Sequence, residues 1–268
     1  MKTSIVLSTH AARFDAVAFQ GGWEKNVRQI ARWGYDGVEL AIRDPALIDG
    51  DLLLGMVARH GLQVPAIGTG QAWGEEGLSF TDPDERVRRA AVRRIIDHIP
   101  FAARTGAVLI LGLIRGIVKP GVEHAQAMAW LVDALQECAR AAAPQGVRLA
   151  LEPINRYETT LINSVPECLE LIQAVGMDNF GVLADTFHMN IEDASMAESL
   201  QQARGSLFHV HLADSNRWYP GAGHIDFAEI IQTLRAIHYQ GYVSIEAMPL
   251  PDADTCARES IKTLRQLL

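Results

Sequence analysis

The sequence predicts a (β/α)₈ barrel formed by residues 1–268 as one domain, and three observations predict it. Eight short apolar runs with strand character alternate with eight helical segments, without a linker or low-complexity stretch. No glycine-rich dinucleotide turn follows the first run, which disfavours a doubly wound open sheet. Acidic or imidazole residues close several runs at their carboxyl ends, the end at which barrels carry their sites.

Thr3–Ser8 (TSIVLS) reads as a buried strand. Trp23–Trp33 follows with Val27, Ile30 and Ala31 at helical spacing, and Gly34 closes it. The second strand is Val38–Ile42, carrying Glu39, and Pro45–His60 is helical with Gly61 as its terminator. The third strand is Gln63–Ile67, ending in the loop Gly68-Thr69-Gly70-Gln71. Asp82-Pro83 then supplies an N-cap and first-turn proline for a long helix reaching Arg104. Val108–Leu113 is strand four, and helix Glu123–Ala142 leads to strand five, Val147–Glu152.

The second half repeats the rhythm. Helix Val165–Ala174 precedes strand Gly181–Asp185, and segment Ala197–Ala203 precedes strand Leu207–Leu212. Helix Phe227–Ile237 precedes strand Tyr242–Glu246, and Thr255–Leu268 closes the chain. Alternation within these strands sets direction. It places His209 and His211 on one face of their strand, with Phe208, Val210 and Leu212 on the other. If the apolar set packs on the helices, His211 points into the barrel near its mouth. The same logic brings Glu152, Asp185 and Glu246 to that mouth.

Those four residues, Glu152, Asp185, His211 and Glu246, are separated by 33, 26 and 35 positions. Each gap accommodates a loop, a helix and the next strand. Four such side chains in one pocket would repel one another or be driven neutral unless a cation compensated them. Three carboxylates and one imidazole suit Mn²⁺, with Mg²⁺ or Co²⁺ as alternatives; a structural zinc site more often uses cysteine.

The motifs LEPINRYET, LADTFHMNIE, FHVHLADSNRWYPGAGHIDF and GYVSIEAMPLP resemble the ketose 3-epimerases of the xylose-isomerase-like barrels, the D-tagatose and D-allulose 3-epimerase group. FDAVAFQG, VELAIRDPALID, AIGTGQAWGEEGLSFTDP and LGLIRG extend the resemblance through the first half, toward the 5-keto-L-gluconate epimerases. The resemblance implies that Glu152 and Glu246 both bind the metal and exchange protons with substrate. Asp185 and His211 would complete the coordination, and Glu158, His188 and Arg217 would bind the ketone end. Epimerisation beside a carbonyl independently demands two acid/base groups flanking one carbon. A divalent cation on the C2 and C3 oxygens would acidify that C–H bond and hold the cis-enediolate.

Arg115, after the fourth strand in LGLIRG, is expected at the mouth, where a guanidinium suits a substrate carboxylate. With Gln71 it would make the substrate a keto-sugar acid, 5-keto-L-gluconate going to D-tagaturonate. Trp73, Phe187, Trp218 and Tyr219 would wall the site from water. A neutral ketose 3-epimerase and a hydroxypyruvate-type aldose–ketose isomerase are the alternatives, since both use the same metal and glutamates. A DNA-repair endonuclease on the same barrel is a remoter one. It needs several histidines from early strands, and only His10, His60 and His98 precede the fourth strand.

The composition, 49% hydrophobic and 21% charged with net charge -8, is that of a globular enzyme and disfavours nucleic acid or anionic membrane as partner. The most apolar internal segment, Ala107–Ile114, is too short to span a bilayer. Cys138, Cys168 and Cys256 are odd in number and widely spaced, and no signal-peptide pattern opens the chain. Both fit a cytoplasmic protein with reduced thiols. The relatives imply a homo-oligomer, a dimer or tetramer, acting on a small keto-sugar.

Overall fold

The structure, a computed structural model, describes residues 1–268. In chain order its elements are β1 (Lys2–Ser8), β2 (Phe19–Gln20), α1 (Trp23–Trp33), β3 (Gly37–Ala41), α2 (Gly50–Arg59), β4 (Ala66–Gly68), α3 (Gln71–Glu76), α4 (Glu85–Thr105) and β5 (Val108–Leu111). Then come α5 (His124–Ala142), β6 (Leu149–Leu151), α6 (Val165–Val175), β7 (Phe180–Asp185), α7 (Thr186–Glu192), α8 (Met196–Gln202), β8 (Leu207–Leu212), α9 (Phe227–Ala236), β9 (Tyr242–Ile245) and α10 (Ala253–Leu267).

Every strand pairing is parallel, and β1 pairs with β9 to close eight strands into a barrel. The two-residue β2 pairs with Leu7 and Ser8, just beyond the stretch of β1 that β9 covers. Outward-facing strand residues such as Leu40, Leu109, Leu149, Val182, Val210 and Val243 pack in one core with the helices. A small inner cluster, Ala66, Val108, Ile110, Ala150 and Leu183, plugs the barrel below the mouth. Ala150 and Leu183 thus stand on the same faces as Glu152 and Asp185, which places those acids above the plug.

Several boundaries differ from the sequence expectation, for local reasons. Pro45–His60 is split: a 3₁₀ turn covers Pro45–Leu47, and Asp49 restarts the chain as N-cap of α2 by accepting from Leu52 N–H at 3.0 Å. The third strand is shifted to Ala66–Gly68, with Gln63 making only an isolated bridge to Gly37. Pro65 between them has no N–H to give a ladder. The cap of α4 is Asp84, not Asp82. The Asp82 carboxylate is engaged by Lys119 and by the Asp84 N–H.

Phe208 does not share the outward face with Val210 and Leu212. Val182 pairs with Leu207 while Leu183 pairs with His209, so β8 carries one extra residue, a bulge, at Phe208. The bulge turns Phe208 onto the inner cluster at the base of the barrel and leaves His209 and His211 directed inward.

Candidate metal and sugar site

Glu152, Asp185, His211 and Glu246 converge at the carboxyl ends of β6 to β9, their donor atoms all within 4.8 Å of one another. The Nδ1 atom of His211 lies 3.6 Å from Glu152 Oε1 and 3.6 Å from Glu246 Oε2. Asp185 is divided between two tasks. Its carboxylate accepts from Phe187 N–H at 2.8 Å, as N-cap of α7, while Oδ2 is buried with no partner. Glu152 Oε1 and His211 Nδ1 are likewise buried and unpartnered.

Unpartnered buried polar atoms are costly, and here three of them face a common point. Burial, then the charges of Glu152 and Glu246, push the Asp185 carboxyl well above its usual range. Burial opposes charge on His211, but Glu39 and Glu246 outweigh it and raise its pKa. A divalent cation among these atoms would supply each with the partner it lacks. Oxygen-rich donors with one imidazole fit Mn²⁺, Mg²⁺ or Co²⁺.

His188, on α7, points Nε2 at the same centre, 3.9 Å from Glu152 Oε1 and 3.8 Å from Asp185 Oδ2. Asn155 fixes its tautomer. The Asn155 amide nitrogen donates to His188 Nδ1 at 2.8 Å and to Glu158 Oε1 at 2.9 Å, while its oxygen accepts from Tyr157 N–H. Nδ1 is therefore an acceptor, and His188 presents a neutral Nε2–H donor to the cavity. Burial, then Arg217, keeps the ring neutral. Asn155 was not singled out from the sequence, although the motif LEPINRYE contains it.

Arg217 joins the two ends of the site. Its guanidinium is 3.0 Å from Glu158 Oε1 and 3.6 Å from Glu246 Oε2, and it lies over the rings of Phe14 and Phe187. Its backbone adopts φ +61°, with the carbonyl accepting from Met248 N–H at 2.8 Å. The cavity above these residues encloses about 260 Å³, with Gln71, Trp73, Phe14 and Arg13 in its outer wall. Gln71 begins the short helix α3, where the sequence suggested only loop. Phe187 borders the site through Arg217, whereas Trp218 and Tyr219 do not line the cavity.

Arg115 is not brought to the cavity. It is fully buried, and its guanidinium donates to the carbonyls of Gly112, Leu161 and Ile162 at 2.9–3.3 Å. Ile162 holds a left-handed φ of +55°, and the arginine bond to its carbonyl helps hold that conformation. Burial draws the guanidinium down to about 10, so it is still cationic at neutral pH. Arg115 thus clamps the loop bearing Asn155 and Glu158 to the loop after β5. Arg115→Met is expected to cost about 2–4 kcal/mol in urea denaturation, through loss of charged bonds to three carbonyls. Its activity on keto-sugar acids and on neutral ketoses is expected to fall by the same factor, a comparison of kcat/KM that checks the clamp.

Gln71 presents the wrong polarity for a carboxylate. Ser8 Oγ donates to the His10 carbonyl, so it accepts from the Gln71 amide nitrogen at 2.9 Å. That leaves Gln71 Oε1, buried and unpartnered, as an acceptor in the cavity wall. It suits a sugar hydroxyl. Nearby acids are engaged elsewhere, Glu75 with Arg13 and Glu76 with Arg94.

Below the four-residue cluster lies a group the sequence reading left out. Glu39, at the inward position of GVELA, bonds His209 Nε2 at 2.8 Å and His211 Nε2 at 2.9 Å. Inward alternation with Ala41 was the available signal. Of the early histidines, His98 spends both ring nitrogens on the carbonyls of Arg94 and Ile42, and neither His10 nor His60 joins the metal-ligand clusters. The histidine set a DNA-repair endonuclease requires is not assembled.

This site sits on a chain whose residues 27–267 match the family model described as xylose isomerase-like TIM barrel. An L-ribulose 3-epimerase of Methylomonas sp. is 32% identical over 240 residues, covering 87% of this chain and 82% of that one. A ketose 3-epimerase of Arthrobacter globiformis is 30% identical, covering 84% and 78%. The solved structure of an L-ribulose 3-epimerase superposes with a TM-score of 0.86 at 26% identity, over 99% of this chain and 93% of that one. The chain belongs to the xylose isomerase-like TIM barrel family, in its ketose 3-epimerase group, and is an isomerase of the racemase and epimerase class.

Proposed function

We propose that the protein is a divalent-metal-dependent, cytoplasmic epimerase that inverts C3 beside the C2 ketone of a keto-sugar, working as a homo-oligomer. One observation carries this reading. Two glutamates from different strands, Glu152 and Glu246, meet the same His211 nitrogen at 3.6 Å in a cavity that also holds His188 and Arg217. Two bases around one centre are what removal of a proton from one face and return to the other requires. The cation, Mn²⁺ by preference, would be held by Glu152, Asp185, His211 and Glu246, and would supply Lewis acidity toward the substrate oxygens.

The chain's own groups do the rest. His188 Nε2–H donates to the oxygen on C2. Arg217, braced by Glu158, donates to the terminal oxygen and shares Glu246. Whichever glutamate faces the C3 hydrogen takes it, and the other returns one to the opposite face of the planar enediolate.

The particular substrate we propose is a keto-sugar acid, 5-keto-L-gluconate giving D-tagaturonate, on the whole-chain resemblance. Arg13, an exposed cation in the cavity wall, is the group to meet its carboxylate. Gln71 Oε1 favours a second reading, a neutral ketose whose hydroxyl it would accept. A screen with Mn²⁺ in D₂O decides, setting 5-keto-L-gluconate and D-tagaturonate against D-fructose, D-tagatose and L-ribulose. Deuterium at C3 with inversion is the expected outcome by NMR, and an aldose product would overturn the reaction in favour of the isomerase.

A further inference from the structure

The cluster beneath the site, Glu39 with His209 and His211, is buried on all three side chains. Glu39 comes from β3 and the histidines from β8, so the carboxylate reaches across the barrel to them. Its separations from His209 Nε2, 2.8 Å, and from His211 Nε2, 2.9 and 3.1 Å, are those of N–H···O bonds. A carboxylate offers only acceptors, so each ring must carry its proton on Nε2.

For His211 that choice has a consequence on the other side of the ring. The Nδ1 lone pair is left free, and Nδ1 is the atom facing Glu152 and Glu246 without a partner. Those two carboxylates favour a proton on Nδ1, which would abolish its capacity to ligate a cation. A cation arriving between them would displace that proton, whereas Glu39 retains the one on Nε2 from below.

We propose that Glu39 is the positioning residue of His211. It holds the ring in the Nε2–H tautomer with Nδ1 free, and His209, bonded to the same carboxylate, fixes Glu39 in place. The inference rests on the metal reading of the four-residue site. Outer partners of ligating histidines typically change metal affinity about 10–100-fold when removed.

The test uses two readouts that do not need turnover, titration calorimetry with Mn²⁺ and ring-nitrogen NMR of ¹⁵N-histidine-labelled protein loaded with diamagnetic Mg²⁺. The wild type is expected to bind one Mn²⁺ per chain and to show His211 as Nε2–H. Glu39→Gln is expected to bind Mn²⁺ about 10–100-fold more weakly and to lose the pure Nε2–H signature. Glu39→Asp, which keeps a carboxylate, is expected to retain the tautomer, and it carries the comparison should Glu39→Gln fail to fold. Binding by Glu39→Gln within twofold of wild type, or a wild-type His211 still protonated on Nδ1 with Mg²⁺ bound, would overturn the proposal. Two Mn²⁺ per wild-type chain would also overturn it by making Glu39 a ligand. A wild type that binds no Mn²⁺ at all would instead remove the four-residue site, and the inference with it.

Discussion

Glu152→Gln and Glu246→Gln are each expected to lower the rate of inversion at C3 by about 10²–10⁴-fold, and to do so asymmetrically. On the proposed two-base reading each glutamate serves one face of the substrate, so a variant keeps the base on the other face. In D₂O with saturating Mn²⁺, Glu152→Gln should still exchange the C3 hydrogen of one epimer without inverting it. Glu246→Gln should exchange only the opposite epimer. Exchange and inversion are read in one NMR time course. Equal exchange of both epimers by one variant would show a single mobile base, contrary to the two-sided arrangement around His211 Nδ1. Glutamine keeps the volume and one acceptor oxygen, so the protein should fold. Arg217 lies 3.6 Å from Glu246 and reaches Glu158 as well, which predicts the larger change in KM for Glu246→Gln.

The barrel and the convergence of Glu152, Asp185, His211 and Glu246 at its mouth were legible because both depend on period-two alternation. Ala150 with Glu152 and Leu183 with Asp185 read correctly as inward pairs, since no irregularity intervenes before the strand end. Alternation misled at Phe208, where a bulge reverses the face and nothing in LFHVH marks it. Arg115 misled for another reason. A cation after a strand end is expected at the mouth, but the carbonyls it satisfies come from residues 46 and 47 positions further on. That pairing is a property of the folded loops and has no local signature. Glu39 was visible as an inward acid, but nothing local to GVELA shows what it meets. Its partner is 172 positions away.

Removal of the cation is expected to abolish turnover and to lower the melting temperature, by chelation with EDTA and repair with Mn²⁺. Mn²⁺ at 100 times its Kd stabilises the folded chain by about 2.7 kcal/mol, which for a chain of this size is a shift on the order of 5–10 °C. The physical source is the trio of unpartnered buried atoms, Glu152 Oε1, Asp185 Oδ2 and His211 Nδ1. In the metal-free protein burial and two neighbouring carboxylates disfavour charge on Asp185, a cost that a cation removes. Asp185→Asn separates this from a site held together only by ion pairs. Asparagine keeps an oxygen to accept the Phe187 N–H that caps α7, but it does not carry the buried charge. The metal-free variant should therefore melt at or above the metal-free wild type, and Mn²⁺ should no longer raise it. A wild type whose melting is indifferent to Mn²⁺ would mean that the four residues neutralise one another, and that the ligand geometry at the barrel mouth has another use.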